Sequence, residues 1–189
     1  MPAVYPTNFM GNYRLGDNIN ENLDALQLIW ELQHEHAETD SSHKRLRKPV
    51  IVYCGAIAEA VLFDFFAKIR DFVREGVAAI EEELAEHLRS KSNDNFQFFI
   101  DQCRKHQLFG DGSDGFYDDL NKLAELRNRI HIQNVKHFKP LREHEAFSKV
   151  QQQMAERTLE TLIARMNEHY NRKQADHVGG FMLPWNSYL

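Results

Sequence analysis

Cysteine is nearly absent: Cys54 and Cys103 are the only two in 189 residues. A disulfide framework needs more than one such pair, and neither residue has a partner at metal-ligand spacing. Cys54 lies in the apolar run "VIVYCGAIAEAVLFDFF", where a buried, reduced thiol is expected. No uninterrupted stretch of about 18 apolar residues is present, and the opening "MPAVYPTNFMGNYRLGDN" has no basic segment followed by an apolar one. A cytoplasmic protein with no membrane span is therefore expected. Sustained apolar-polar alternation is missing too, which argues against half-buried strands. The chain has no glycine-rich phosphate loop and no nucleophile elbow, so nucleotide hydrolysis and esterase chemistry find no support. Positive charge is in deficit, and a net charge of −5 argues against a general nucleic-acid coat.

What is present is a 42% hydrophobic content, enough for one core, with apolar positions recurring at helical spacing. The pattern predicts an all-α fold, an antiparallel helical bundle of five or six helices. Residues 1–19 read as an irregular lead, 20–172 as the helical domain and 173–189 as an apolar tail. Asn18 or Asn20 suits the cap of a first helix carrying Leu23, Leu26, Ile29, Trp30 and Leu32. Pro49 suits the first turn of a second, strongly apolar helix from Val50 to Ile69. Gly76 is placed to break or kink that helix before the acidic "VAAIEEELAEHLRSK", and Asn93 or Asp94 to cap "FQFFIDQCRKHQLF". A further helix follows Asp114, with Tyr117, Leu120, Leu123, Leu126 and Ile130 on its inner face. Beyond Pro140 a long helix is expected from Glu143 to Arg172, with Phe147, Val150 and Met154 among its apolar positions. The tail "VGGFMLPWNSYL" has two readings, docking on its own bundle or inserting into a partner subunit.

Metal and cofactor sites are not expected. In "GDGSDG" the twelfth residue counted from Asp111 is Lys122, where a calcium loop needs an acid. In "HEHAETDSSH" His34 and Glu38 stand at a helical ligand spacing, a pair too small to make a metal site by itself.

One basic segment stands out. From Lys122 to His144, six Lys and Arg residues face two acids, a local charge of +4 that leaves −9 for the remainder. Within it, "LAELRNRIHIQN" sets Arg127, Asn128 and His131 close together. On a continuous helix Arg127 and His131 stand at i and i+4 and share a face, with Asn128 alongside. A guanidinium can grip a phosphate by two hydrogen bonds, an imidazole can exchange a proton near neutral pH, and an amide can orient either. The same trio equally serves as an ordinary polar helix face.

The apolar helix with its embedded acid, the later "LRNRIHI" and the long closing helix together resemble the HEPN superfamily (higher eukaryotes and prokaryotes nucleotide-binding) over residues 20–172. The resemblance implies a helical bundle that dimerises and, in active members, a metal-independent endoribonuclease with Arg and His from both chains in one cleft. It assigns catalysis to Arg127 and His131 and makes Asn128 the arginine's polar companion. Arg129 and Glu59 are further binding candidates, Glu59 as a partner for Arg127. RNA, a second copy of the chain and a cognate antitoxin are the implied partners, in a defence or toxin-antitoxin setting. The residues between Arg127 and His131 number three, one fewer than the family's usual minimum. The rival expectation is a non-catalytic HEPN-like RNA-binding or protein-interaction module.

Overall fold

The computed structural model describes residues 4–71, 86, 95–130, 142–171 and 178–185. Among them are six helices: α1 (Tyr13–His34), α2 (Ser41–Asp71), α3 (Phe96–Lys105), α4 (Phe116–Asn128), α5 (Glu143–Ala146) and α6 (Lys149–His169). Two short strands, β1 (Val4–Tyr5) and β2 (Phe181–Met182), pair antiparallel, with Val4 opposite Met182 and Tyr5 opposite Phe181. The all-α bundle is the architecture, and the single ribbon corrects the expectation of no strand. Gly76, Asn93, Asp94 and most of the acidic segment lie outside the described residues.

The apolar run at Val50–Phe66 places α2 at the centre. Val50, Cys54, Ile57, Ala58, Val61, Leu62, Phe65 and Ile69 are all buried, at spacings that spread the apolar surface around much of the helix. α2 accordingly packs against α1, α3, α4 and α6. Burial of each large side chain contributes about 1.5–3 kcal/mol, so this one helix carries much of the hydrophobic stabilisation. By length and composition α2 could also cross a membrane, although no uninterrupted apolar run marks it out. Its most apolar window has a mean hydropathy of 1.9 and is 61% buried within the bundle, the behaviour of a core helix. Pro49 lies inside α2, not in its first turn, because the helix already begins at Ser41. The cost there is the amide bond to the Arg45 carbonyl that proline cannot form.

α1 begins earlier than Asn18. The Asn12 side chain accepts from the Leu15 amide at 3.2 Å and caps it. Asp64, buried on α2, explains this start: its carboxylate accepts from the amides of Gly11 (2.8 Å) and Asn12 (2.9 Å). Lys68, one turn on, sits 3.2 Å from Asp64 and donates to the Phe9 carbonyl at 2.9 Å. A Cβ at Gly11 would fall 1.1 Å from the Lys68 Cε, so a side chain there would push the Lys68 ammonium from its present position.

Other helix ends follow the same logic. Asn95 caps α3 through the Phe98 amide at 2.8 Å. The expected long final helix is two helices, because Ser148 caps α6 afresh through the Gln151 amide at 3.4 Å. The restart moves the apolar period, which leaves Val150 exposed while Phe147 is buried. Leu32 is exposed, off the buried stripe of α1.

The tail docks on its own chain over residues 178–185. Phe181 and Leu183 are fully buried, Phe181 meets Phe9 edge to face, and Thr7 donates to the Val178 carbonyl at 3.0 Å. Tyr5 and Trp185 both donate to the Glu160 carboxylate of α6.

Removing one member of a buried ion pair leaves the other charge unpaired. Asp64→Ala should lower unfolding free energy by about 3–5 kcal/mol in denaturant melts. Asp64→Ala with Lys68→Met should cost less than the two single losses combined; strict additivity would show that the pair is not coupled.

Candidate functional site

Arg127 occupies the last turn of α4, one turn after Leu123 and beside Leu126, both buried. These apolar anchors hold the helix against α2, and Gly55 of α2 permits the approach. A Cβ at Gly55 would lie 2.7 Å from the Arg127 Cβ, closer than carbon atoms pack. The arginine then runs along α2 to Glu59, where its Nη2 forms an ion pair with the carboxylate. Its Nη1 donates to the Asn128 Oδ1 at 3.0 Å. The structure thus brings Arg127, Asn128 and Glu59 together. Glu59, the one acid amid the apolar residues 50–62, is neither an idle helix edge nor fully enclosed.

The pair is half-buried, with side-chain exposures of 30% for Arg127 and 22% for Glu59. A guanidinium has five N–H donors, and the two bonds named use two of them. The remainder can meet a planar, doubly accepting anion such as a phosphate, while Glu59 fixes the plane of the group. The carboxylate also offsets much of the arginine's charge, so an anion must compete with Glu59 or share the guanidinium with it.

α4 ends at Asn128. The amides of Arg129 and Ile130 bond to the carbonyls three residues back, at 3.2 Å each, which is a tightened terminal turn. A shared i, i+4 face for Arg127 and His131 needs helix through position 131, and the regular helix ends at Asn128, three residues short. His131 itself lies outside the described residues. Ile130, expected on the inner face, is 50% exposed because the helical period has already ended. Arg129 lies in the same terminal turn.

The histidines near the first loop serve packing. His34 stacks on Trp30 at 3.6 Å between ring centres and contacts its own helix through the Trp30 carbonyl at 2.7 Å. Glu38 pairs with Lys149 instead of joining His34, and buried His43 bonds to the carbonyls of Gln33 and His36. Sequence reasoning missed the polar group beneath them. Gln33 and Gln152, both buried, bond to each other, and Gln152 reaches Glu156, which also accepts from the Trp30 indole. Two glutamines spaced at helical apolar positions were the available signal.

In the glycine loop, Asp111 accepts from Ser113, and Asp114 accepts from the Phe116 amide and pairs with Arg165. Asp111 and Asp114 are thus committed to turn bonds and, for Asp114, to Arg165 of α6. Gly112 and Gly115 adopt positive φ angles of 76° and 81°, which only glycine takes without strain. Among the described residues no group of three or more His, Cys, Asp or Glu side chains is arranged to hold a metal ion.

No family model, curated protein or solved structure matches the chain.

Two measurements probe these clusters. Gly55→Ala should destabilise the fold by about 1–3 kcal/mol by forcing α4 from α2. Adding Arg127→Ala should recover little of that, because the obstructed atom is the Cβ that alanine retains. Glu156 is held above the ordinary glutamic acid value of 4.5 by burial, against the bonds from Gln152 and Trp30 that lower it. Its folded form therefore favours the proton, and its contribution to stability is full at low pH and declines as pH rises through the folded pKa. Glu156→Gln should gain melting temperature relative to wild type between about pH 4 and pH 8. A constant difference across that range would refute the assignment.

Proposed function

We propose that the chain is an HEPN-like protein that cleaves RNA as a metal-independent endoribonuclease, in a defence or toxin-antitoxin setting. The observation that supports this reading is Arg127, partly exposed at the end of α4 and oriented by Glu59 and Asn128. In the proposed reaction Arg127 binds the scissile phosphate through its unused N–H groups. His131 accepts the proton of the neighbouring ribose 2′-hydroxyl, and that oxygen attacks phosphorus. The P–O5′ bond breaks, the 5′-oxygen takes up a proton, and the products carry a 2′,3′-cyclic phosphate and a 5′-hydroxyl. Asn128 accepts from the guanidinium and helps hold its plane, and Arg129 adds positive charge nearby. A second copy of the chain completes the cleft, and a cognate antitoxin is the natural controlling partner.

A second reading has its own observation. The Arg127–Glu59 pair also joins α4 to the central helix, and a half-buried pair can serve that purpose alone. The protein is then a non-catalytic HEPN-like RNA-binding or interaction module.

Cleavage of a labelled RNA, with the oligomer mass measured in parallel, separates the two. Arg127→Ala and His131→Ala should each reduce cleavage by about 100-fold or more, with helical signal and dimer mass unchanged. Chelator should have no effect, and the products should end in a cyclic phosphate. Wild-type protein that leaves RNA intact, together with variants that unfold or become monomeric, would establish the second reading.

A further inference from the structure

About 16 Å along α2 from Glu59 lies a second feature that the Arg127 cluster does not use. Between the two, Ile51 and Gly55 are buried, so the feature stands apart from that cluster. Near the start of α2, Lys44, Arg45 and Lys48 face Glu143, His144 and Phe147 across a groove of about 270 Å³. Its walls are mainly carbon, the stems of the long cations and the buried Phe147 ring, with the charged ends at the rim. Lys48 lies 5.2 Å from the centre of that ring and 3.1 Å from the Glu143 carboxylate. Three permanent cations therefore face one acid around an apolar slot.

We propose that this groove is a subsite for single-stranded RNA, seating one base in the slot and neighbouring phosphates on Lys44, Arg45 and Lys48. Apolar walls with cations at the rim suit a nucleotide, since a base needs carbon surface on its faces and its phosphates need charge outside. Glu143 holds Lys48 over the ring until a phosphate takes its place.

The inference rests on RNA as the ligand and is independent of cleavage. The probe is accordingly a fluorescein-labelled 2′-O-methyl oligouridylate of about 12 nucleotides, which lacks the attacking hydroxyl. Binding is followed by anisotropy over a range of salt concentrations. Combined Lys44→Ala, Arg45→Ala and Lys48→Ala should weaken binding at least tenfold near 0.1 M salt and reduce the slope of log affinity against log salt by about 2. The exposed Lys44→Glu, which alters no packed group, should weaken binding severalfold and guards against misfolding of the triple variant. Unchanged affinity and slope in both variants would overturn the groove while leaving the Arg127 reading intact. Loss of cleavage alone, with groove-dependent binding retained, would sink the ribonuclease reading and leave the groove standing. A wild type that ignores the oligonucleotide, or binds only anionic phospholipid vesicles, would overturn the groove outright.

Discussion

Much of the architecture depends on a carboxylate and an ammonium group set into the apolar central helix α2. Asp64 and Lys68 are buried one turn apart on α2, where isolated charges would be strongly disfavoured. They are tolerated because each satisfies the other and both satisfy backbone groups of the N-terminal lead: two amides for Asp64 and one carbonyl for Lys68. The lead is thereby fixed across α2, α1 starts at Tyr13, and Phe9 and Met10 enter the core. Phe9 in turn meets Phe181, so the docking of the tail is connected to the same anchor.

The other end of the core is organised by aromatic rings and loop carbonyls. Phe66 stacks on Phe99, and Phe65 packs against Tyr170. The hydroxyl of Tyr170 donates to the Leu108 carbonyl, that of Tyr117 to the Gly110 carbonyl, and Arg165 to the Phe109 carbonyl. Side chains from α4, from α6 and from Tyr170 just beyond α6 thus satisfy successive carbonyls of the loop before α4, which holds the start of α4 in place. The position of Arg127, near the far end of that helix, follows from this attachment and from the close contact at Gly55. The candidate site is built where α4 crosses the central helix, and its polar groups sit where that packing reaches the surface.

Several features were legible in the residues because they depend on local periodicity. The buried faces of α2 and α4 follow from apolar spacing, and Glu59 was recognisable as an acid in an apolar helix that needed a cationic partner. Features set by competition between distant segments were not. Nothing within residues 10–20 distinguishes Asn12 from Asn18 or Asn20 as a cap, since the choice is made by Asp64, more than fifty residues away. Val150 reads as a core position, and becomes exposed once Ser148 restarts the helix. The shared face of Arg127 and His131 was an extrapolation of helical register past Asn128, where the backbone turns instead.

The sequence by itself determined a helical fold, a central apolar helix and a basic segment holding an Arg-Asn pair, because hydrophobic period and charge distribution are properties of neighbouring residues. Only the tertiary structure decided that Arg127 meets Glu59, that the tail returns to pair with Val4–Tyr5, and that Lys44, Arg45 and Lys48 open onto Phe147. Each of these joins segments far apart in the chain, and such contacts are selected by the packing of whole helices around one core, which no local pattern encodes.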